Sequence, residues 1–167
     1  KASREFIHKS MSSIASIPGG RGLIGFLGHM SPPHEIKKDI NNLEFSSPIG
    51  LSSMIDPKLS GTNAFQELGF GFLEIGPIVL NEPQEAKEPR MKNNHFLFSE
   101  QQEKVPLKLA IKKLTSLNIR IPIVAQIDNQ VNRNEWEIIV QHLTPFVDGF
   151  IGTKEQVHAF VDNSTLT

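Results

Sequence analysis

Apolar residues fall along this chain in short blocks that switch between helical spacing and near-continuous runs. Between Lys1 and Ile17, Phe6, Ile7, Met11, Ile14 and Ala15 recur at helical spacing, and Pro18-Gly19-Gly20 stops the run. Gly22 to Met30 is short, apolar and Gly-rich, and Pro32-Pro33 ends it. These two blocks predict a pair of small helices. Leu43-Glu44-Phe45 reads as a short extended piece and Pro48 to Met54 as a strand. Thr62 to Leu68 reads as a short helix, with Gly69 as its C-terminal cap. Phe70 to Val79 is a second strand, its apolar run near-continuous, as in a strand covered on both faces. Pro106 to Asn118 predicts a helix, with Leu107, Ala110, Ile111, Leu114 and Leu117 on one side and lysines on the other. Pro122 to Ile127 is a third strand. A helix from Glu135 to Leu143 is expected to start behind Asn134, and Asp148 to Thr153 is a fourth strand. Lys154 to Val161 closes the pattern as a last short helix.

The order α-α-β-α-β-α-β-α-β-α predicts an α/β fold of parallel βα units with right-handed crossovers. Four such strands form an open sheet or half of a (β/α)8 barrel, so the expectation is a partial or remodelled TIM barrel behind an N-terminal helical pair. Residues 1–41 form the helical segment and residues 42–167 the barrel-like region. A half barrel leaves two unpaired edges, which invite association with another copy or with the rest of a longer chain.

Bulk properties narrow the function. The chain has 167 residues, short of the roughly 250 of a complete TIM barrel. It opens on Lys1 rather than Met, which reads as a piece of a longer chain. A net charge of -1 gives no electrostatic reason to bind nucleic acid. Cysteine is absent, so neither disulfides nor thiolate chemistry are available. No apolar run reaches the roughly 20 residues of a membrane-spanning helix, and no secretory leader is visible. Asn163-Ser164-Thr165 matches a glycosylation sequon on a frayed tail. The histidines His8, His29, His34, His95, His142 and His158 show no metal-ligand spacing, so no metal is expected.

Four features carry alternative readings. Gly19-Gly20-Arg21-Gly22 is a plain interhelix turn or an anion-binding nest. Glu74 sits inside an apolar strand, so it either pairs with a buried Lys or Arg or faces a polar barrel mouth. Trp136, the only tryptophan, packs a helix onto the sheet or stacks on a ligand. The polar stretch Leu80 to Lys104 is longer than most βα loops and is either a surface excursion or a lid over the strand ends.

In residue detail, Asn42 to Arg90 resembles the first βαβ unit of class 2 dihydroorotate dehydrogenases, flavin-dependent (β/α)8 barrels. The family's Gly-hydrophobic-Ala-Ala-Gly strand end and hydrophobic-Asp-Lys turn stand here as Gly50-Leu51-Ser52-Ser53-Met54-Ile55-Asp56-Pro57-Lys58. Gly69-Phe70-Gly71-Phe72-Leu73-Glu74-Ile75-Gly76 resembles the family's second strand, and Pro83-Gln84 and Pro89-Arg90 follow at similar spacing. Ala2 to Met30 looks like the family's N-terminal helical pair, which lies at the membrane surface and admits quinone.

The resemblance implies FMN as cofactor, with Ser52, Ser53, Gly76, Pro77 and Gln126 lining the flavin and Lys58 as a displaced substrate ligand. It implies a dihydropyrimidine and a quinone as reaction partners. The location it implies is cytoplasmic, peripheral at the inner membrane face. The reaction it implies is oxidation of dihydroorotate to orotate.

The chain also departs from the pattern. Met54 stands where Gly is expected, Pro57 where the family has its carboxylate-binding Lys, and Pro77 where it has Ser or Thr. The family's Asn-Arg-Met-Gly-Phe-Asn segment has no counterpart, although Asn93, Asn94, His95 and Phe96 stand nearby. Its catalytic Ser loop after the fourth strand is replaced by Thr153-Lys154-Glu155-Gln156, and its phosphate-binding loops have no counterpart. No catalytic base is identified. The strands Ile121 to Ile127 and Asp148 to Thr153 match either the third and fourth or the fifth and sixth of the family. An impaired or silent flavoprotein and a barrel-derived binding or assembly domain both fit these residues.

Overall fold

The computed structural model describes residues 2–28, 32–40, 42–82, 90–92, 95–97 and 103–158. The Pro83-Gln84 turn, Pro89, Asn93, Asn94, His29 and the sequon at Asn163 lie outside them. So does most of the long polar stretch, and with it a test of the lid.

Two helices, α1 (Ala2–Ser16) and α2 (Gly20–Gly28), open the chain as the spacing predicts. Gly19, at φ 78°, makes the turn, and a Cβ on Gly20 would fall 1.8 Å from the Ile14 carbonyl oxygen. The glycines therefore make a plain interhelix turn that lets the two helices meet. Ala15 and Ile24 pack on Ala64, with Met11 and Leu68 around them. That leaves Phe6, Ile7, Ile14, Ile17, Leu23, Phe26 and Leu27 exposed.

An antiparallel hairpin follows, β1 (Lys38–Ile40) and β2 (Leu43–Phe45), turning at Asn42 with φ 64°. Only its second strand has a sequence signal. Next come β3 (Gly50–Leu51), α3 (Thr62–Phe65) and β4 (Phe72–Val79). A second hairpin, β5 (Arg90–Lys92) with β6 (His95–Leu97), lies within the long polar stretch. Then come β7 (Val105–Pro106), α4 (Leu107–Ser116), β8 (Ile123–Ile127), α5 (Arg133–Leu143) and β9 (Gly149–Ile151), and residues 154–158 are helical.

The main sheet runs β3-β4-β8-β9, every neighbour parallel, with β7 prolonging the β3 side of β4. Because β8 hydrogen-bonds directly to β4, it takes the third place in the sheet and β9 the fourth.

All four predicted strands are shorter in the structure, β4 and β8 only at their starts. β3 keeps two residues of the expected Pro48 to Met54, because the Ile55 amide donates to the Ser52 carbonyl at 3.0 Å and turns the chain. β9 stops at Ile151. The start of α5 also differs: its cap is Asn132, not Asn134. The Asn132 side chain accepts from the Glu135 amide at 3.1 Å, and the Glu135 carboxylate accepts from the Asn132 amide at 3.1 Å. Gly69, at φ 79°, caps the turn after α3 as expected.

One face of the sheet is fully covered. Ile75, Ile78, Ile123, Ala125 and Ile127 pack with Leu107, Ala110 and Leu114 of α4 and Trp136, Ile139 and Leu143 of α5. Each fully buried Ile or Leu there contributes about 1.5–3 kcal/mol over its exposed state. Trp136 takes the packing role: a Cβ on Gly152 would lie 2.2 Å from its ring. The opposite face alternates with the first. Phe72, Glu74, Val124, Gln126 and Gly149 there are only half-buried, and Ile151 is exposed.

Candidate functional site

In a parallel sheet the C-terminal strand ends are where ligands bind, because loops diverge there and leave a crevice. Here a cleft of about 620 Å³ opens at that end of β4, β8 and β9, lined by Pro77, Lys104, Gln126, Asp128, Gln130 and Thr153 among others. The local sequence builds it. Gly76 has φ 116°, and the β4–β8 register shifts between Ile75 and Ile78, so Pro77 lies in an irregularity of the ladder. Asp128 follows β8 directly, and its amide donates to the Ile78 carbonyl at 3.0 Å.

The floor of the cleft is a polar network. Lys104 Nζ donates to Asp128 Oδ1 at 3.0 Å and to Gln130 Oε1 at 2.8 Å. Gln156 clips the neighbouring loops together. Its amide nitrogen donates to the carbonyls of Asp128 (3.1 Å) and Val131 (3.3 Å), and its oxygen accepts from the Thr153 amide at 2.9 Å. Gln126 Oε1 is buried with no hydrogen-bond donor among the described residues. A buried acceptor left in that state is costly, so this atom is where a ligand donor would bind best.

Of the residues singled out in the sequence, Pro77 and Gln126 meet in this cleft. Gly76 lies beneath it, its Cα turned so closely onto β8 that a Cβ would meet the Gln126 carbonyl oxygen at 2.3 Å. Ser53, just past the C-terminal end of β3, is buried outside the lining of this cleft and donates to Glu74 Oε1 at 3.4 Å. Ser52 and Met54 are exposed. Glu74 faces the half-buried side of the sheet and has no ion-pair partner among the described residues.

Lys58 lies in a second, much smaller cleft with Arg4, Glu5, His8, Asp56 and Ser60. Its ammonium is bound to Glu5 at 3.1 Å, and Lys9 holds the same carboxylate at 2.9 Å. Hydrogen bonds from Lys9 and Lys58 lower the Glu5 pKa to about 2. A depressed carboxylate contributes stability above its unfolded pKa and loses it as pH falls through the folded value. The Glu5 contribution is therefore expected to persist at neutral pH and to disappear between about pH 4.5 and 2. A carbon-detected NMR titration of the Glu5 carboxyl checks this. A midpoint near 4.5 would show that neither lysine holds it in solution.

Beside this pair, Asp56 is buried and fully engaged. It accepts from the amides of Ser60 and Gly61 at 2.8 Å each, from Thr62 Oγ1 at 2.9 Å, and contacts His8 Nδ1 at 3.2 Å. It joins the turn before α3 to α1. Sequence reading passed over His8, whose place on the inner side of an amphipathic helix was the available signal. It also passed over the Lys104–Asp128 pair, and only Asp128, directly behind a strand end, carried a signal there.

Chemically, the described lining of the large cleft offers hydrogen-bond acceptors, one cation already neutralised and no histidine. Among the described residues no group of three or more His, Cys, Asp or Glu side chains is placed to hold a metal. No helix of the described residues is long and apolar enough to cross a membrane.

Known proteins set this geometry in context. No protein-family model matches the chain. A dihydroorotate dehydrogenase (quinone) from Pseudomonas fluorescens is 31% identical over 91 residues, 54% of this chain and 26% of that protein. One from Psychrobacter sp. is 32% identical over 65 residues, 39% of this chain and 19% of that protein. Over these residues the chain is similar to dihydroorotate dehydrogenases (quinone). The matched region spans about a quarter of the length of such relatives. Among solved structures, the ligand-free dihydroorotate dehydrogenase of Eimeria tenella superposes with a TM-score of 0.52 at 16% identity. It covers 79% of this chain and 43% of that one. That likeness concerns the fold alone, an open, parallel, barrel-like sheet.

Proposed function

We propose that this chain is a dihydroorotate-dehydrogenase-related half barrel that acts as a binding and assembly unit and does not oxidise dihydroorotate by itself. The carrying observation is the state of its cations. Lys104, in the cleft, is bound to Asp128 and Gln130, and Lys58 is bound to Glu5 outside it. Neither is left to hold a flavin phosphate or an orotate carboxylate.

The wider fit to FMN fails in the same way. Of Ser52, Ser53, Gly76, Pro77 and Gln126, only Pro77 and Gln126 line the cleft, and Ser53 is committed to Glu74. No reaction step is therefore assigned to FMN here. Residues 1–41 and 42–167 are read as the helical segment and the barrel-like part of this unit.

A second reading has its own support. The donorless Gln126 Oε1 offers an acceptor to a heterocyclic N–H, as a flavin ring or a dihydropyrimidine would present. The exposed apolar side chains of α1 and α2 suit contact with a membrane surface and a quinone, at the inner membrane face. On that reading the chain is an FMN-dependent, quinone-reducing dihydroorotate oxidoreductase.

A visible spectrum of the purified chain, titrated with FMN, separates the two. The expected result is no change in the flavin band and no dye reduction with dihydroorotate. A saturable shift of the flavin band, with dihydroorotate-dependent bleaching, would replace the first reading by the second.

A further inference from the structure

Two separate apolar cores hold the described residues together. The larger lies between the main sheet and α4 and α5, and it takes in Leu59 from the loop before α3. The smaller lies where α1 and α2 meet α3. Its buried members are Ala15, Ile24 and Ala64, with Met11 and Leu68 packed against them. Two of the three are alanines, which remove little area from water, so apolar burial holds this junction weakly.

The rest of the junction is polar. Arg4 of α1 pairs with Glu103 at 2.8 Å and Glu5 with Lys58 at 3.1 Å, His8 contacts Asp56 at 3.2 Å, and Arg21 of α2 pairs with Glu67 at 3.7 Å. All but the His8 contact are partly exposed, where water and salt weaken them. Ser12 Oγ on α1, Ser60 Oγ before α3 and Asn63 Oδ1 on α3 are buried without a hydrogen-bond partner among the described residues. Unpaired buried polar atoms cost free energy that contact with water returns, so they favour opening.

The surface that receives α1 is built without it. Asp56 accepts from the Ser60 and Gly61 amides and from Thr62 Oγ1, all in its own loop, and only His8 reaches it from α1. Leu59 anchors the same loop in the larger core. The loop therefore keeps its shape when the helices leave.

We propose that α1 and α2 form a flap that opens from the Asp56 loop as one unit while the main sheet stays folded, and that charge latches it shut. Shut, Glu5 occupies the Lys58 ammonium and His8 lies against Asp56. Open, Lys58 and the Ser60 hydroxyl are uncovered. The flap does not depend on the binding and assembly reading or on flavin, so it stands or falls on its own measurement.

That measurement is amide hydrogen exchange on the full chain, followed residue by residue by NMR. The amides of α1 and α2 are expected to share one protection factor, about a hundredfold or more below that of β4 and β8. Raising salt from about 0.05 M to about 0.5 M should speed exchange in both helices about fivefold and leave the sheet unchanged. Lys58→Gln, which breaks the latch 53 positions from Glu5, should speed the same amides about threefold. Glu103→Gln, which releases Arg4, repeats the test from another segment. Helices as protected as the sheet would overturn the flap. Unequal rates in α1 and α2, unmoved by salt and by both variants, would overturn it in favour of fraying helix ends.

Discussion

Asp56→Ala is expected to cost about 3–5 kcal/mol of folding stability. The carboxylate is buried, and its removal leaves the amides of Ser60 and Gly61 and the hydroxyl of Thr62 without an acceptor. Two of these donors are backbone groups that the turn cannot redirect to water without opening. The loss also detaches His8 from the loop, which frees α1 from α3 at one of its polar anchors. His8→Ala removes a single contact and should cost about 1 kcal/mol. Urea unfolding of both variants checks the difference. Equal midpoints would mean that the turn holds without its central carboxylate.

Gly76→Ala is the second large effect, about 2–4 kcal/mol, from two independent sources. The backbone at φ 116° excludes an L side chain without strain, and the added methyl would meet the Gln126 carbonyl oxygen at 2.3 Å. The neighbour is backbone, so relief requires β4 and β8 to separate at the mouth of the cleft. Gly149→Ala is the control, since its Cβ would lie 3.8 Å from Val124, an ordinary contact. Thermal unfolding should show a large drop for the first and little for the second. Faster amide exchange at Gln126 should accompany the first. A variant at Gly76 as stable as wild type would mean that the two strands do not approach so closely.

How much was legible follows from how local each determinant is. The apolar runs of β4 and β8 and the one-sided pattern of Leu107, Ala110 and Leu114 marked those elements, because burial against a sheet demands such patterns. The β1–β2 hairpin was half-hidden, since Lys38 and Asp39 are polar and all three residues of β1 are exposed. Only their pairing with Leu43 to Phe45 makes them a strand. The cap of α5 was misplaced by two residues although Asn132 and Glu135 carry the spacing of a capping box.

The candidate site divides along the same line. Pro77 and Gln126 were readable only through the family resemblance, and they meet because both lie toward the C-terminal ends of parallel strands. Lys104 was not, because nothing in a polar run says which lysine reaches a carboxylate 24 positions later.

The sequence by itself determined the alternation of strands and helices, the parallel sheet they imply and the resemblance to dihydroorotate dehydrogenases. Those are written in local periodicity and in short runs of residues. The tertiary structure alone decided that Lys58 is held by Glu5, that Lys104 is held by Asp128, and that Glu74 is half-buried beside Ser53. The physical reason is that a charge is defined by its partner, and these partners come together only when distant segments pack.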